Sequence, residues 1–419
     1  MTGPDLGAVA HLVEQLWGPA LATGDLRLDL GRGATPGWTD VETYQALPSI
    51  ASATMLLPTA ERRVLAGSLL NFRRLRDPGT RVQRRLLGSL AARGVPLPFP
   101  QVRVQARVGA GRRVPLPTEQ VAADLGLPRV HASIGVRTGS NRKATLQLVD
   151  DAGVAVGFAK FAWDPASTGA VAREAAALRA LAGGTDAVRA PRLLAEGSWL
   201  GRPYLVTEPL PAASRRPDPN LLPTAEEVFA PAPVGRRDVL ARTGQLQDLR
   251  LRLDVLRAGG ADPELVDALD DLLALVADVE VPVAARWHGD FTAWNSARDE
   301  QDRLWCWDWE SSELDAVAGL DAIHWVAGGA TLAGTRYDGA LIATALDRAA
   351  PVLTAAGHSR AGAVVVPVVY VATLVERALS LAVGNGRWDD AWLRRDEAAA
   401  LLAHARTLAP ARVGADVHC

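Results

Sequence analysis

Cysteine is almost absent from this chain. Its 419 residues hold two, Cys306 and Cys419. Their wide separation excludes a disulfide framework and paired-cysteine metal spacing, and suits a reducing cytosol. Long apolar runs are missing too. The longest, Ala361 to Val375, is too short to cross a bilayer and ends at Glu376-Arg377. It reads as a buried helix with Pro367 near its start. The opening residues, Met1 to Leu6, lack the basic and apolar regions of a secretory signal, so the expectation is a cytoplasmic protein with no membrane contact. Neither sign of charge dominates: the net charge is −2, which excludes a strongly basic nucleic-acid binder. No internal repeat of roughly 20 to 50 residues is evident.

Lysine is the most informative scarcity. Lys143 and Lys160 are the only two among 45 basic residues, so 43 are arginine. Lysine supplies a compact, rotatable point charge that the planar fork of arginine does not replace. Lys160 therefore stands out as a position with a charge-placing task, the plain alternative being what base composition happens to leave. Length allows two to three domains and a sizeable core.

What is present concentrates in one stretch. His288-Gly289-Asp290-Phe291-Thr292-Ala293-Trp294-Asn295 is followed by Trp307-Asp308-Trp309-Glu310. Taken singly, Gly-Asp is an ordinary turn, and Asp308 fits the exposed side of a half-buried strand with Leu304 and Cys306. Taken together, the spacing suits phosphoryl transfer. That reaction needs a carboxylate to orient a nucleophile and accept its proton, and oxygen ligands for Mg²⁺ on the phosphates. Asp290 and Asn295, five residues apart on one loop, face a common point, and Asp308 supplies a second oxygen ligand.

The pattern His-Gly-Asp-x-x-x-x-Asn, followed by an apolar residue and Asp-Trp-Glu, resembles the aminoglycoside phosphotransferase and choline kinase family. It departs from the protein kinases, with Gly289 in place of Arg, Asp308-Trp309-Glu310 in place of Asp-Phe-Gly and no Ala-Pro-Glu segment afterwards. The resemblance covers about His131 to Leu402. It implies an α+β, bilobal, protein-kinase-like fold with a small β-rich N-lobe over 119–210 and a mostly α C-lobe over 211–419. An additional N-terminal α/β segment, residues 1–118, precedes them. Within the N-lobe, strands at 143–149 and 154–162 flank the turn Asp150 to Gly153, a hairpin signal. The glycine-containing connection from Ile134 to Asn141, with Gly135 and Gly139, would lie over phosphates, though it lacks a full G-x-G-x-x-G.

By the same resemblance, Lys160 contacts the phosphates, and Glu174, on an alanine-rich helix expected over 168–181, pairs with it. Glu208-Pro209-Leu210 forms the hinge for the base of ATP or GTP. Asn295 and Asp308 hold Mg²⁺. Asp290 receives the hydroxyl of a small molecule such as an aminosugar, an amino alcohol or a natural product. His288 holds the catalytic loop, and Asp321 braces it through backbone donors. Glu310, Glu313 and Asp315 either attract a cationic acceptor or are surface carboxylates of a loop.

Residues 1–118 lie outside the resemblance. They carry fifteen arginines and eight acids, about +7, leaving about −9 for the rest. The cluster Arg73, Arg74, Arg76, Arg81, Arg84 and Arg85 reads as a site for a protein or phosphate-rich partner, or as a solvated helix face. A strand is expected over 51–57, and helices over 59–76, 80–93, 236–257, 263–279, 337–356, 363–383 and 388–408. Two other functions fit the same residues: a peptide-modifying kinase, and a non-catalytic nucleotide-binding scaffold that uses the arginine-rich segment. A metal-dependent hydrolase built on His288 and Asp290 fits less well, since no second His lies at ligand spacing.

Overall fold

Short polar side chains mark where the helices begin. Asp77 accepts from Thr80 N at 2.9 Å, Thr243 from Leu246 N at 3.3 Å, Asp262 from Glu264 N at 3.1 Å and Asp338 from Leu341 N at 2.7 Å. Each satisfies an amide that the first helical turn leaves without a carbonyl. The structure, a computed structural model, describes residues 6–31, 33, 35–109, 114–136, 143–182, 184–359 and 362–409.

In chain order the elements begin α1 (Ala10–Ala22), β1 (Leu26–Asp29), β2 (Trp38–Leu47), β3 (Met55–Pro58), α2 (Arg62–Leu70), α3 (Pro78–Ala92), β4 (Gln101–Arg107) and α4 (Pro117–Asp124). Then come β5 (His131–Gly135), β6 (Ala144–Val149), β7 (Ala155–Phe161), α5 (Pro165–Leu181), β8 (Val188–Arg189), β9 (Leu193–Trp199) and β10 (Arg202–Thr207). The remainder is α6 (Ala225–Phe229), β11 (Val234–Val239), α7 (Gly244–Ala258), α8 (Pro263–Val276), β12 (Glu280–Trp287), β13 (Ser296–Arg298), β14 (Leu304–Cys306) and β15 (Glu313–Val317). Four helices follow: α9 (Leu320–Leu332), α10 (Gly339–Ala355), α11 (Val365–Asn385) and α12 (Arg395–Leu408). The chain is mixed α+β, the class expected from the sequence, and divides into two compact units.

The first unit comprises residues 1–180 and 191–215. Its antiparallel sheet runs in the order β1-β4-β2-β3-β5-β6-β7-β10-β9. The β6–β7 hairpin turns where the sequence indicates: Asp150 Oδ1 accepts from Ala152 N and Val154 N, and Gly153 takes φ +79°. One core joins Leu12, Leu16 and Trp17 of α1 to Val102 and Val104 of β4, Ile134 of β5 and Leu146 of β6. Residues 1–118, expected as a segment of their own, thus place four strands in the same sheet, with β3 bonded to β5 through Met55↔Gly135 and Leu56↔Ile134.

Strands β1, β2 and β4 escape a hydrophobic-pattern reading because their inward positions include polar side chains that find partners. Arg103 is 6 % exposed and bonds Asp29 at 2.5 Å, and Gln105 donates to Asp40 at 2.5 Å. The helix expected over 59–76 ends at Leu70. Asn71 is extended there, and its amide side chain donates to Gly153 O.

The second unit comprises residues 181–190 and 216–419. It holds the three-stranded sheets β11-β12-β15 and β13-β14-β8, the β14–β8 pair being parallel. Helix α8 buries Leu265, Leu269, Leu272, Leu273 and Val276 at helical spacing. The helix expected over 236–257 is corrected: residues 236–239 belong to β11, paired with β12 through Asp238↔Val281, and helix starts only at Gly244 behind the Thr243 cap. Charged Arg236, Arg237 and Asp238 had masked an exposed edge strand. Helix α11 extends the apolar run seen in the sequence. The reading of this run as too short to cross a bilayer is corrected, since Gly362–Asn385 is long and apolar enough to do so; 78 % of its most apolar window is buried within the protein, in keeping with a core helix.

Candidate active site

The loop after β12 is fixed by glycine and by a buried carboxylate. Gly289 takes φ +81°, and a Cβ there would lie 2.2 Å from Ser311 O. Only glycine permits that approach. Asp321, in the first turn of α9, accepts from His288 N at 2.8 Å and from Gly289 N at 3.1 Å. Burial raises its pKa, while His288 and the two amides act in the opposite sense. Arg377 of α11 closes the other side, donating to Gly289 O at 2.6 Å and to Ser311 O at 3.2 Å.

His288 is buried, and burial lowers its pKa. Its Nδ1 accepts from Asp290 N at 3.2 Å and its Nε2 meets Trp307 O at 3.0 Å. A carbonyl only accepts, so the ring is the neutral tautomer with the proton on Nε2. Both nitrogens are occupied, which leaves His288 no lone pair for an incoming proton.

Asp290 differs. Its side chain is 45 % exposed, and each oxygen has one fixed donor: Asn295 Nδ2 reaches Oδ2 at 2.7 Å, and His324 Nε2 lies 3.0 Å from Oδ1. A carboxylate offers about four lone-pair sites, so its direction is set while acceptor capacity remains. Asn295 Nδ2 also donates to Asp290 O at 3.1 Å. The amide is thereby oriented, and Oδ1 is the atom it has to offer a cation. Trp307 N donates to Asn295 O at 3.1 Å, which ties the Asp308 segment to this loop. Asp308 itself takes left-handed φ 71°, ψ 51°, a conformation that Asp tolerates better than bulkier residues and that turns the chain directly after β14.

In the first unit, Lys160 of β7 and Glu174 of α5 form a buried pair, with Nζ 2.6 Å from both carboxylate oxygens. The residues are 8 % and 2 % exposed. Alanine favours helix around Glu174, and Val171, Ala175 and Leu178 seat that face of α5 in the core.

No family model matches the chain, and no curated protein matches it. Solved structures similar to it include a thermostable mutant of an aminoglycoside phosphotransferase, in ternary complex with ADP and hygromycin B. That match has 14 % identity and a TM-score of 0.44, covering 72 % of this chain and 99 % of the other. A fructosamine-3-kinase assigned in Haemophilus somnus 129PT matches at 11 % identity and TM-score 0.43, covering 70 % and 96 %. A macrolide 2'-phosphotransferase from Brachybacterium faecium matches at 14 % identity and TM-score 0.36, covering 71 % and 97 %.

The remaining sequence candidates have these surroundings. Gly135 is a strand residue paired with Thr145 and Met55, and Gly139 lies outside the described residues. Glu208 binds Arg192: its carboxylate accepts from Arg192 N at 2.9 Å and Nε at 2.8 Å, and its own N–H donates to Arg192 O. Glu313 is held by Arg252 at 2.9 Å and by Trp287 Nε1 at 3.1 Å, and Asp315 by Arg236 and Gly244 N. Their charge is spent inside the unit, which removes these two as attractors of a cationic acceptor.

Three residues near the loop were not singled out in the sequence. His324 follows Asp321 by three positions, so both face the loop from one side of α9. Arg377 interrupts an apolar run. Trp294, within the loop itself, is 51 % exposed and carries the Arg216 guanidinium 4.2 Å from its ring centroid. A cavity of about 920 Å³ also opens in the first unit, lined by Asp40, Glu42, Thr118, Glu119 and His131 among others. None of the sequence candidates among the described residues lines it.

Proposed function

We propose that the protein is a phosphotransferase that moves the γ-phosphate of ATP or GTP to a hydroxyl of a small molecule. The observation that carries this reading is the loop from His288 to Asn295. It presents one half-exposed carboxylate, Asp290, whose two oxygens are each held by a fixed side-chain donor, next to an oriented amide oxygen and a tethered Asp308. The acceptor oxygen forms a bond to the γ-phosphorus as the bond to the bridging oxygen breaks and nucleoside diphosphate leaves. Asp290 takes the hydroxyl proton, late in the step, because the transition state is loose. His288, neutral and doubly occupied, is a loop anchor. Lys160 Nζ, held by Glu174, supplies the point charge for phosphate oxygens. Asn295 Oδ1 and the Asp308 carboxylate are hard oxygen donors and suit Mg²⁺, which when bound neutralises charge on the phosphates.

The solved phosphotransferases named above act, by their titles, on aminoglycosides, macrolides and fructosamines, which agrees with a small hydroxylated acceptor. The test is thermal stability with Mg²⁺ plus ATP or GTP, on the wild type and Asp308→Ala. Ligand that binds the native state raises stability by mass action. The expected result is a Mg²⁺-dependent shift for one nucleotide that Asp308→Ala loses. An Asp308→Ala protein that retains the full shift removes Asp308 from metal binding, and no shift in the wild type removes the phosphotransferase reading.

A further inference from the structure

The imidazole of His324 occupies a built position beside Asp290. It is 8 % exposed, on α9 one turn after Asp321. Its Nε2 lies 3.0 Å from Asp290 Oδ1, and its Nδ1 lies 3.1 Å from the hydroxyl of Tyr370, a residue of α11 that is 2 % exposed. Space for the ring comes from Gly328, one turn further along the helix. A Cβ there would stand 3.0 Å from both Cε1 and Nε2 of the imidazole and 3.3 Å from Thr292 Cγ2. A carboxylate only accepts, so Nε2 carries a proton toward Asp290, and Nδ1 faces the Tyr370 hydroxyl. Burial holds that phenol far above the ordinary tyrosine pKa, so it remains a donor. The half-exposed carboxylate is thus backed by a chain of buried donors running from the loop into the core.

We infer that His324 is a positioning residue for the base. With Asn295 it fixes the Asp290 carboxylate from two sides, and Tyr370 fixes the tautomer of His324. This rests on the proposed phosphoryl transfer and adds to it a residue that does not touch the acceptor. A base held by two directional donors keeps its free lone pairs aimed at one point, and misplacement by about 1 Å costs on the order of a hundredfold in rate.

The experiment measures nucleotide hydrolysis, with water as the acceptor, by wild type, His324→Leu, His324→Gln and Tyr370→Phe, using Mg·ATP and Mg·GTP. Thermal shifts with the same nucleotides are recorded in parallel. His324→Leu should lower kcat by about tenfold to a hundredfold while KM and the nucleotide-dependent thermal shift stay at wild-type values. His324→Gln keeps an N–H donor where Nε2 stood and should restore most of the rate. Tyr370→Phe removes the hydroxyl on Nδ1 and should lower kcat severalfold with KM unchanged. It carries the test if the Leu variant does not fold.

Equal losses in the Leu and Gln variants, a loss confined to KM, or wild-type kcat in Tyr370→Phe would overturn the positioning role. The two levels of reading fail differently. A wild type that neither shifts with nucleotide nor hydrolyses it ends the phosphotransferase proposal and this inference with it. A wild type that does both, beside a His324→Leu protein of unchanged kcat, ends this inference alone.

Discussion

Gly289→Ala tests the geometry of the loop most directly. The substitution adds one carbon at a position of φ +81°, where an L side chain costs about 1–2 kcal/mol. The new Cβ would also meet Ser311 O at 2.2 Å and Ser311 C at 2.9 Å, about an ångström inside ordinary contact. Ser311 O cannot retreat freely, because Arg377 Nη2 holds it at 3.2 Å while Nη1 holds Gly289 O at 2.6 Å. Forcing such a contact in packed surroundings costs a further ~1–3 kcal/mol. Together these destabilise by about 2–5 kcal/mol, on the order of 10 °C in melting temperature for a body of this size. If the loop moves to relieve the contact, Asp290 moves with it, and turnover falls instead. Gly329→Ala is the control, since it sits on α9 with nothing within 4 Å of its Cβ, and helix propensity favours the alanine by up to about 1 kcal/mol. Thermal unfolding of both variants, with nucleotide turnover on each, decides the matter. A Gly289→Ala protein that melts within a degree of wild type and turns over at the wild-type rate refutes the reasoning.

Further consequences are separable by assay. Asp290→Asn should keep the nucleotide-dependent thermal shift and lose at least ~10²-fold in turnover; undiminished turnover removes Asp290 from the chemistry. Glu174→Ala removes the carboxylate 2.6 Å from the buried Lys160 Nζ and should destabilise the protein in denaturant unfolding. The double variant Lys160→Met, Glu174→Leu should cost less, and a double variant that is the worse of the two contradicts this. Glu42 accepts from Thr118 Oγ1 at 2.6 Å and from Trp17 Nε1 at 3.0 Å, and burial pushes its pKa up to about 7. Between the ordinary carboxylate value and that point the folded state binds more protons than the unfolded state. Stability therefore falls as pH rises from about 4.5 to about 7, by at most ~3 kcal/mol, and is flat in this respect above that. Glu42→Gln should flatten the slope in a series of melts across pH 4.5 to 8; an unaltered slope assigns it to another group.

The parts legible in the sequence were those in which one residue type is scarce or one spacing is short. Lys160 stood out because arginine fills nearly every other basic position, and its pairing with Glu174 was what the family resemblance implied. The link between Asp290 and Asn295 spans five residues and closes on one loop. Contacts made across the chain were not legible. Arg103 with Asp29, and Gln105 with Asp40, put polar residues on inward faces of β4 and hid a strand from the alternation rule. Glu208 carried no sign that Arg192, sixteen positions earlier, would occupy both its oxygens.

Helix α11 shows what signal was available and unused. An apolar core helix gains nothing from a charged residue in its interior, and a buried charge is tolerated only when paired. Glu376 and Arg377 sit side by side within such a helix. Each answers to a different element: Glu376 to Arg252 of α7 at 3.2 Å, Arg377 to the carbonyls of Gly289 and Ser311. Two turns earlier, Tyr370 reaches His324. Tyr370 and Arg377 of α11 therefore point at the groups that shape the Asp290 loop, and their presence in this apolar helix has a physical cause. A buried helix that must hold the carbonyls and the carboxylate of a loop needs donors, and Arg and Tyr supply them at the ends of side chains long enough to leave the helix itself in the core.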